Sequence, residues 1–214
     1  VDKYGKTFQV GTQQRSEFGL NFLTAVALTH LGYLGSNLKA ISSVGTAASR
    51  REKEFAEKAP FGPFDKAAVP TELDWNLWQG PALENEFVNE RVGWNFRWWF
   101  EYSGGQVTDW GVHHTDIAFW ALAGAEGQAT SAVGTGRFMG VEREAVLAYL
   151  TGKSTSPLPQ SWNVAYAFDV DIILSTGNQI KLTSGNNELL IEGDKGRIRV
   201  NRGSLTGKPV DDMK

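Results

Sequence analysis

At 214 residues, with 41% hydrophobic and 21% charged side chains, the chain is long enough for one buried core and has ordinary globular composition. A formal net charge of -3 gives no general attraction to phosphate backbones, so nucleic acid is not expected as a partner. The absence of cysteine excludes a disulfide framework, a thiolate zinc site and a cysteine nucleophile.

In chain order, Thr7 to Gly11 reads as a short strand. Ser16 then stands in N-cap position before a run in which Phe18, Phe22 and Val26, with Leu23, Ala27 and Leu31, recur at helical spacing. Gly32 is the natural stop. The longest apolar stretch, Phe22 to Leu34, is interrupted by Thr24, Thr29, His30 and Gly32 and is too short and too polar to span a bilayer, so no membrane partner is expected. A strand is predicted over Leu38 to Val44, and Thr46 is placed to cap a charged, solvated helix through Arg50, Arg51, Lys53, Glu54 and Glu57. Pro60, Gly62, Pro63 and Pro70 make Ala59 to Thr71 a loop.

Tryptophans crowd the next region: Trp75, Trp78, Trp94, Trp98, Trp99, Trp110 and Trp120. They read either as large core fillers or as the aromatic wall of a sugar-binding cleft. Gly134-Thr135-Gly136 to Gly140 has the spacing GxGxxxG rather than GxGxxG and reads as a tight turn between strand and helix, not a phosphate cradle. From Asn163 onward the period is two: Val164 to Leu174, Gln179 to Thr183, Glu188 to Ile191 and Arg197 to Asn201. Turn residues Thr176 to Asn178, Gly185 to Asn187 and Gly193 to Gly196 separate them. This is the pattern of an antiparallel meander. Helices early and strands late predict an α+β domain, a mostly antiparallel open sheet with helices packed on one face.

The segment Thr108 to Ala123 carries the chemistry. Thr108 is placed to cap a helix on which Asp109, His113 and Asp116 or Ile117 share a face by the i, i+4, i+7 rule. An acid beside an imidazole favours imidazolium, while the helix dipole favours the neutral ring, and opposed influences of this kind suit a general base. Two other readings stand beside it. His113 is equally read as a packed histidine satisfied by its i-4 carboxylate. A metal site from Asp109, His113, His114 and Asp116 is disfavoured because adjacent residues point about 100° apart on a helix. Arg15, Arg91 and Arg97 are candidates to orient anionic or hydroxyl groups, or are structural.

Several stretches together resemble the Gfo/Idh/MocA family of NAD(P)-dependent sugar and polyol dehydrogenases, in particular a large bacterial branch. Phe8-Gln9-Val10-Gly11-Thr12-Gln13-Gln14-Arg15-Ser16 resembles the last strand of that family's Rossmann domain and the turn after it. Leu73 to Pro81, Phe96-Arg97-Trp98-Trp99 and Gly104-Gly105 lead to Asp109-Trp110-Gly111-Val112-His113, which is similar to the family's DxxxH motif, and Asp116 matches an acid that commonly follows it. Ile191 to Gly196 and Val200-Asn201-Arg202-Gly203 resemble its closing strands.

The resemblance implies that residues 1–31 are the residual last strand and following helix of a dinucleotide-binding domain. Residues 32–214 would be a substrate-binding and oligomerisation domain that forms a homodimer or tetramer through its sheet. It implies His113 as the general base and Asp109 as its polarising acid, with Arg15, Arg97, Trp98 and Asp116 on the substrate, a small sugar, inositol or related polyol. NAD or NADP would serve a full-length parent. The chain has neither an EKP motif nor a GxGxxG fingerprint, so this isolated chain is expected to bind no dinucleotide, to be inactive, and to be a piece of a longer protein. No metal is expected. An NAD-recycling, redox-neutral glycosidase and a non-catalytic sugar-binding or assembly domain are the alternatives. Localisation stays open between the bacterial cytoplasm and periplasm.

Overall fold

The computed structural model describes residues 1–45, 61–124, 127–138 and 140–213. The charged helix predicted from Thr46 through Glu57 lies outside the described residues. The helices are α1 (Asn21–His30), α2 (Trp75–Gln79), α3 (Trp110–Ala123) and α4 (Arg143–Leu150). The strands are β1 (Lys39–Val44), β2 (Ala129–Arg137), β3 (Ala167–Leu174), β4 (Gln179–Ser184), β5 (Glu188–Gly193), β6 (Gly196–Val200) and β7 (Leu205–Thr206). They form one seven-stranded open sheet in the order β2-β3-β4-β1-β5-β6-β7. All neighbours are antiparallel except β1 and β4, so the molecule is the α+β, mostly antiparallel fold that the pattern predicts.

The pure meander needs correction. β4 and β5 do not pair with each other, because β1 lies between them, parallel to β4 and antiparallel to β5. The three residues Gly185 to Asn187 therefore cross over the end of β1 instead of closing a hairpin. Three residues reach about 10 Å, which is two strand spacings. Gly185 makes that crossing tight: its N–H donates to the Val44 carbonyl, and a Cβ on it would stand 2.6 Å from Ser43 Oγ, so that side chain would have to turn away.

Alternation along the strands aligns apolar rows across the sheet. Ile172, Ile180, Ala40, Ile191 and Ile198 are successive cross-strand partners, and Val170, Leu182, Ser42, Leu189 and Val200 form the next row. β1 contributes only the small Ala40 and Ser42 to these rows, which leaves room for α3 over the sheet centre. There Ile117, Ala118, Ala121 and Leu122 join the same core as Phe22, Ala25, Val26 and Leu28 of α1. Ser42 Oγ and Thr115 Oγ1, 3.1 Å apart, tie strand to helix within this contact. The opposite sheet face carries Ile41, Ile173 and Leu190 among charged residues, including the Lys181–Asp169 and Arg199–Glu188 pairs. A second cluster around Val88, Trp98, Trp99, Trp162 and Val164 packs Phe61, Phe64 and Tyr102, so these tryptophans are core fillers. Trp94, by contrast, is 75% exposed.

Three local expectations are overturned. Thr7 to Gly11 is not a strand: no strand of the sheet lies beside it, and Phe8 and Val10 are exposed. Ser16 does not cap α1. The chain instead turns through Phe18, Gly19 and Leu20, all at φ near +60°, and the helix starts at Asn21 with Leu20 in the cap position. Gly134 and Gly136 lie within β2, paired with Val170 and Phe168, so the turn toward α4 comes only after Arg137. The stop at Gly32 stands, at φ 79° just beyond the helix.

Candidate functional site

α3 presents two histidines in succession on different faces. His114 points into the protein and is 1% exposed. Gln14 Nε2 donates to its Nδ1 at 3.2 Å, which makes Nε2–H the donor to Asn187 Oδ1 at 2.7 Å. This neutral tautomer satisfies both nitrogens, and burial pushes the imidazole down to about 4. His114 is thereby a structural residue joining the N-terminal turn, α3 and the crossing between β4 and β5.

His113 is half-buried at the rim of the same helix. Its Nδ1 is buried with no hydrogen-bond partner, and its ring has no hydrogen bond to another described residue. Burial holds its pKa below the ordinary histidine value. The Arg202 cation adds to that effect, while Asp109 and Asp116 oppose it. Of the two influences foreseen in the sequence, the carboxylate's is present, while the opposing one has a source other than the helix dipole, in two respects. Desolvation dominates, and the cation that assists it comes from the far end of the chain.

The helix begins later than the spacing predicts. Thr108 does not cap it: its hydroxyl accepts from the Gly104 N–H and donates to the Gly105 carbonyl. Asp109 occupies the cap position without a side-chain cap bond, because its carboxylate is taken by Arg97 in a short ion pair. Asp109 and His113 therefore do not hydrogen-bond, and act on each other only through space. Arg97 itself lies 3.9 Å over the Trp94 ring. Asp116 is held by Arg15 in a bidentate pair, 2.8 and 2.6 Å, and Arg15 lies over Trp120. Trp98 is buried in the aromatic cluster behind Arg97. The structure thus gathers Asp109, His113, Asp116, Arg15 and Arg97 along the start and rim of α3, with the carboxylates already paired.

Sequence reasoning missed two residues here. Gln14 is buried, and its Nε2 donates also to the His113 carbonyl at 3.0 Å. Arg202, after β6, donates from Nε to Gln14 Oε1 at 3.2 Å and lies 4.2 Å from the centroid of Trp110, whose ring stands edgewise to His113. Both sit in stretches that carry the family likeness. Their separations of about 100 and 188 residues from their partners leave no local spacing to reveal them.

Chemically the arrangement offers a neutral imidazole at the rim of a helix, with two carboxylates near enough to favour its protonated form when a proton arrives. Among the described residues no group of three or more His, Cys, Asp or Glu converges as a metal site. The segment Gly134 to Gly136, extended and paired in the sheet, forms no turn that would cradle a pyrophosphate.

Residues 28–204 match the family described as "oxidoreductase family, C-terminal alpha/beta domain", of the Gfo/Idh/MocA group. The chain has no match among curated protein sequences. It is similar in fold to an aldose-aldose oxidoreductase from Caulobacter crescentus, complexed with glycerol, at 13% identity and TM-score 0.52, covering 97% of this chain and 49% of that one. It is similar also to the WlbA dehydrogenase from Chromobacterium violaceum, in complex with NADH and UDP-GlcNAcA, at 12% identity and TM-score 0.50, covering 96% of this chain and 44% of that one. The chain spans about half the length of these solved structures. With its family match running through α3 and nearly the whole sheet, the chain belongs to the Gfo/Idh/MocA oxidoreductases, as their C-terminal alpha/beta domain.

Proposed function

We propose that this chain is the substrate-side domain of an NAD(P)-dependent dehydrogenase that oxidises a sugar, inositol or related polyol, with His113 as the general base. The observation that carries this reading is the state of His113: an imidazole held neutral, at the rim of α3, with no hydrogen bond to any described side chain. A histidine kept only for packing is normally satisfied, as His114 is. With Nδ1 buried, Nε2 is the atom left to meet a substrate hydroxyl.

A bound nicotinamide would supply the hydride acceptor. The chain's own part is to take the hydroxyl proton on His113 Nε2 and to stabilise the resulting imidazolium through Asp109 and Asp116. Arg97 and Arg15 fix those two carboxylates in place. The glycine-rich segment Gly134 to Gly136 is paired in the sheet and forms no seat for the dinucleotide's pyrophosphate, so that seat is assigned to the remainder of a longer protein, and this chain by itself is proposed to be inactive. The relatives' dinucleotide and sugar ligands agree in kind with this reading. Assembly with a second copy is assigned to the sheet face opposite α3.

The test is made in the full-length protein, with absorbance of reduced nicotinamide followed over a panel of sugars and polyols. His113→Ala is expected to lower kcat by roughly 10²- to 10⁴-fold with dinucleotide affinity little changed. Turnover equal to wild type in that variant would remove His113 from the chemistry, and sugar release without reduced nicotinamide would point to hydrolysis instead.

A further inference from the structure

We propose that Arg202 recognises an anionic substituent, a carboxylate or a phosphate ester, on the molecule whose hydroxyl meets His113. This rests on the functional reading above and deepens it to a substrate class.

The Arg202 guanidinium is clamped between two rings, 4.6 Å from the Phe18 centroid and 4.2 Å from that of Trp110. Trp110 is in turn 6.0 Å from the His113 ring. Its Nε is spent on Gln14, whose amide also bonds the His113 carbonyl, so the cation is fixed relative to the base through two links. Its two terminal nitrogens have no hydrogen-bond partner among the described residues.

Two other arginines border the same stretch, and their situation differs. Arg15 is neutralised by Asp116 and Arg97 by Asp109, whereas Arg202 has no salt bridge among the described residues, only the distant influence of Glu17. Arg202 is half-buried and its terminal donors are not engaged by the described residues, so they remain available to an incoming acceptor, and the planar fork matches the paired oxygens of a carboxylate or phosphate. The rings hold that fork in place beforehand, which reduces the ordering cost of binding. A cation serving only to pack against aromatics would need neither the Gln14 link nor its position beside His113.

The experiment uses the full-length protein with its dinucleotide and three matched probes, glucose, glucuronate and glucose 6-phosphate, titrated by calorimetry and assayed for turnover. At least one anionic probe is expected to bind roughly 10- to 100-fold more tightly than glucose, the scale of a hydrogen-bonded charge. The preferred probe tells carboxylate from phosphate. Arg202→Met is expected to erase the preference, read within each protein as the ratio of anionic-probe to glucose affinity, and Arg202→Lys, which keeps the charge without the fork, to retain part of it. Equal binding of all three probes, no binding of either anionic probe, or a preference that survives in Arg202→Met would overturn the proposal. Loss of dinucleotide affinity in place of probe preference would do so too, by assigning Arg202 to the cofactor. An anionic preference without hydride transfer would uphold Arg202 while sinking the dehydrogenase reading, so the two fail separately.

Discussion

His113 and His114 occupy adjacent positions on α3, and the turn of about 100° between them gives one an open ring and the other a fully bonded one. Their titrations have different consequences. If His113 must be neutral to act, the acidic limb of kcat/KM follows its pKa in the free enzyme and falls below the ordinary histidine value. Asp109 raises that pKa, so Asp109→Asn is expected to move the limb to lower pH, the more so because Arg97 is then unneutralised. Arg202 lowers it, so Arg202→Met is expected to move the limb to higher pH. Shifts in one common direction, read from pH-rate profiles of the full-length protein, would show that these groups do not act on the base as charges. His114 instead governs stability. Its folded pKa of about 4 lies below the unfolded value near 6.5, so between them the unfolded state binds more protons. Stability is therefore full above about pH 6.5 and falls as pH drops toward 4, by about 3 kcal/mol at most. Denaturant unfolding at several pH values should show this component in the wild type and lack it in His114→Gln. If the two proteins had the same pH dependence, the imidazole would not be the group responsible. At this scale the sequence shows the Asp109–His113 spacing, since four residues on one helix are local. The Arg202–Gln14 link joins the two ends of the chain and is visible only once the sheet has brought them together.

Elements were legible to the degree that their information is local. The periods of β3 to β6 and the glycine stop of α1 are written in adjacent residues, and they stand. The insertion of β1 is not local: its short run of Ala40 and Ser42 resembles a weak edge strand, yet small residues are what a central strand under a helix requires. Helix starts failed for a related reason. Thr108 and Ser16 have suitable side chains, but a 3-10 turn at Gly105–Val107 engages the first, and backbone at positive φ separates the second from its helix. Between α2 and α3 the loops are held by a feature no periodicity announces, the buried pair of Arg91 and Glu101. Arg91 is 1% exposed and lies 3.9 Å over the Trp99 ring; both its terminal nitrogens reach Glu101 Oε1 at 3.3 Å, while Asn163 donates to Glu101 Oε2. Removing one partner leaves the other charge buried with only neutral hydrogen-bond partners, Asn163 for Glu101 and Gln160, Tyr102 and Asn85 for Arg91. Arg91→Met is therefore expected to cost about 3 to 5 kcal/mol, seen as a lower denaturant midpoint at unchanged slope. A loss below about 1 kcal/mol would mean that water or rearrangement reaches Glu101, as for an exposed pair.

For the molecule as a whole, the question is where its cooperative unit begins. The resemblance read from the sequence implies a boundary after residue 31, with α1 as the remnant of a preceding domain, whereas the family match begins at residue 28. Packing ties α1 to the C-terminal domain instead. Phe22, Ala25, Val26 and Leu28 share a continuous core with Ile117, Ala121 and Leu122 of α3 and with Ile191, Ile198 and Val200 of the sheet. Gln14 adds hydrogen bonds to both histidine positions and accepts one from Arg202. Fully burying a large apolar side chain contributes about 1.5 to 3 kcal/mol, so Phe22, Val26 and Leu28 together approach the lower end of a domain's net stability of about 5 to 15 kcal/mol. Deleting residues 1–31 would remove that contribution and also uncover the α3 and sheet surface beneath it, which invites aggregation. The 214-residue chain is accordingly expected to unfold in a single transition followed alike by tryptophan fluorescence and far-ultraviolet circular dichroism. The chain from residue 32 onward is expected to lose that transition and to bind a hydrophobic dye at neutral pH. If residues 32–214 instead unfold cooperatively at the same midpoint as the whole chain, α1 is an appendage rather than part of the core, and the boundary implied by the resemblance is also the physical one.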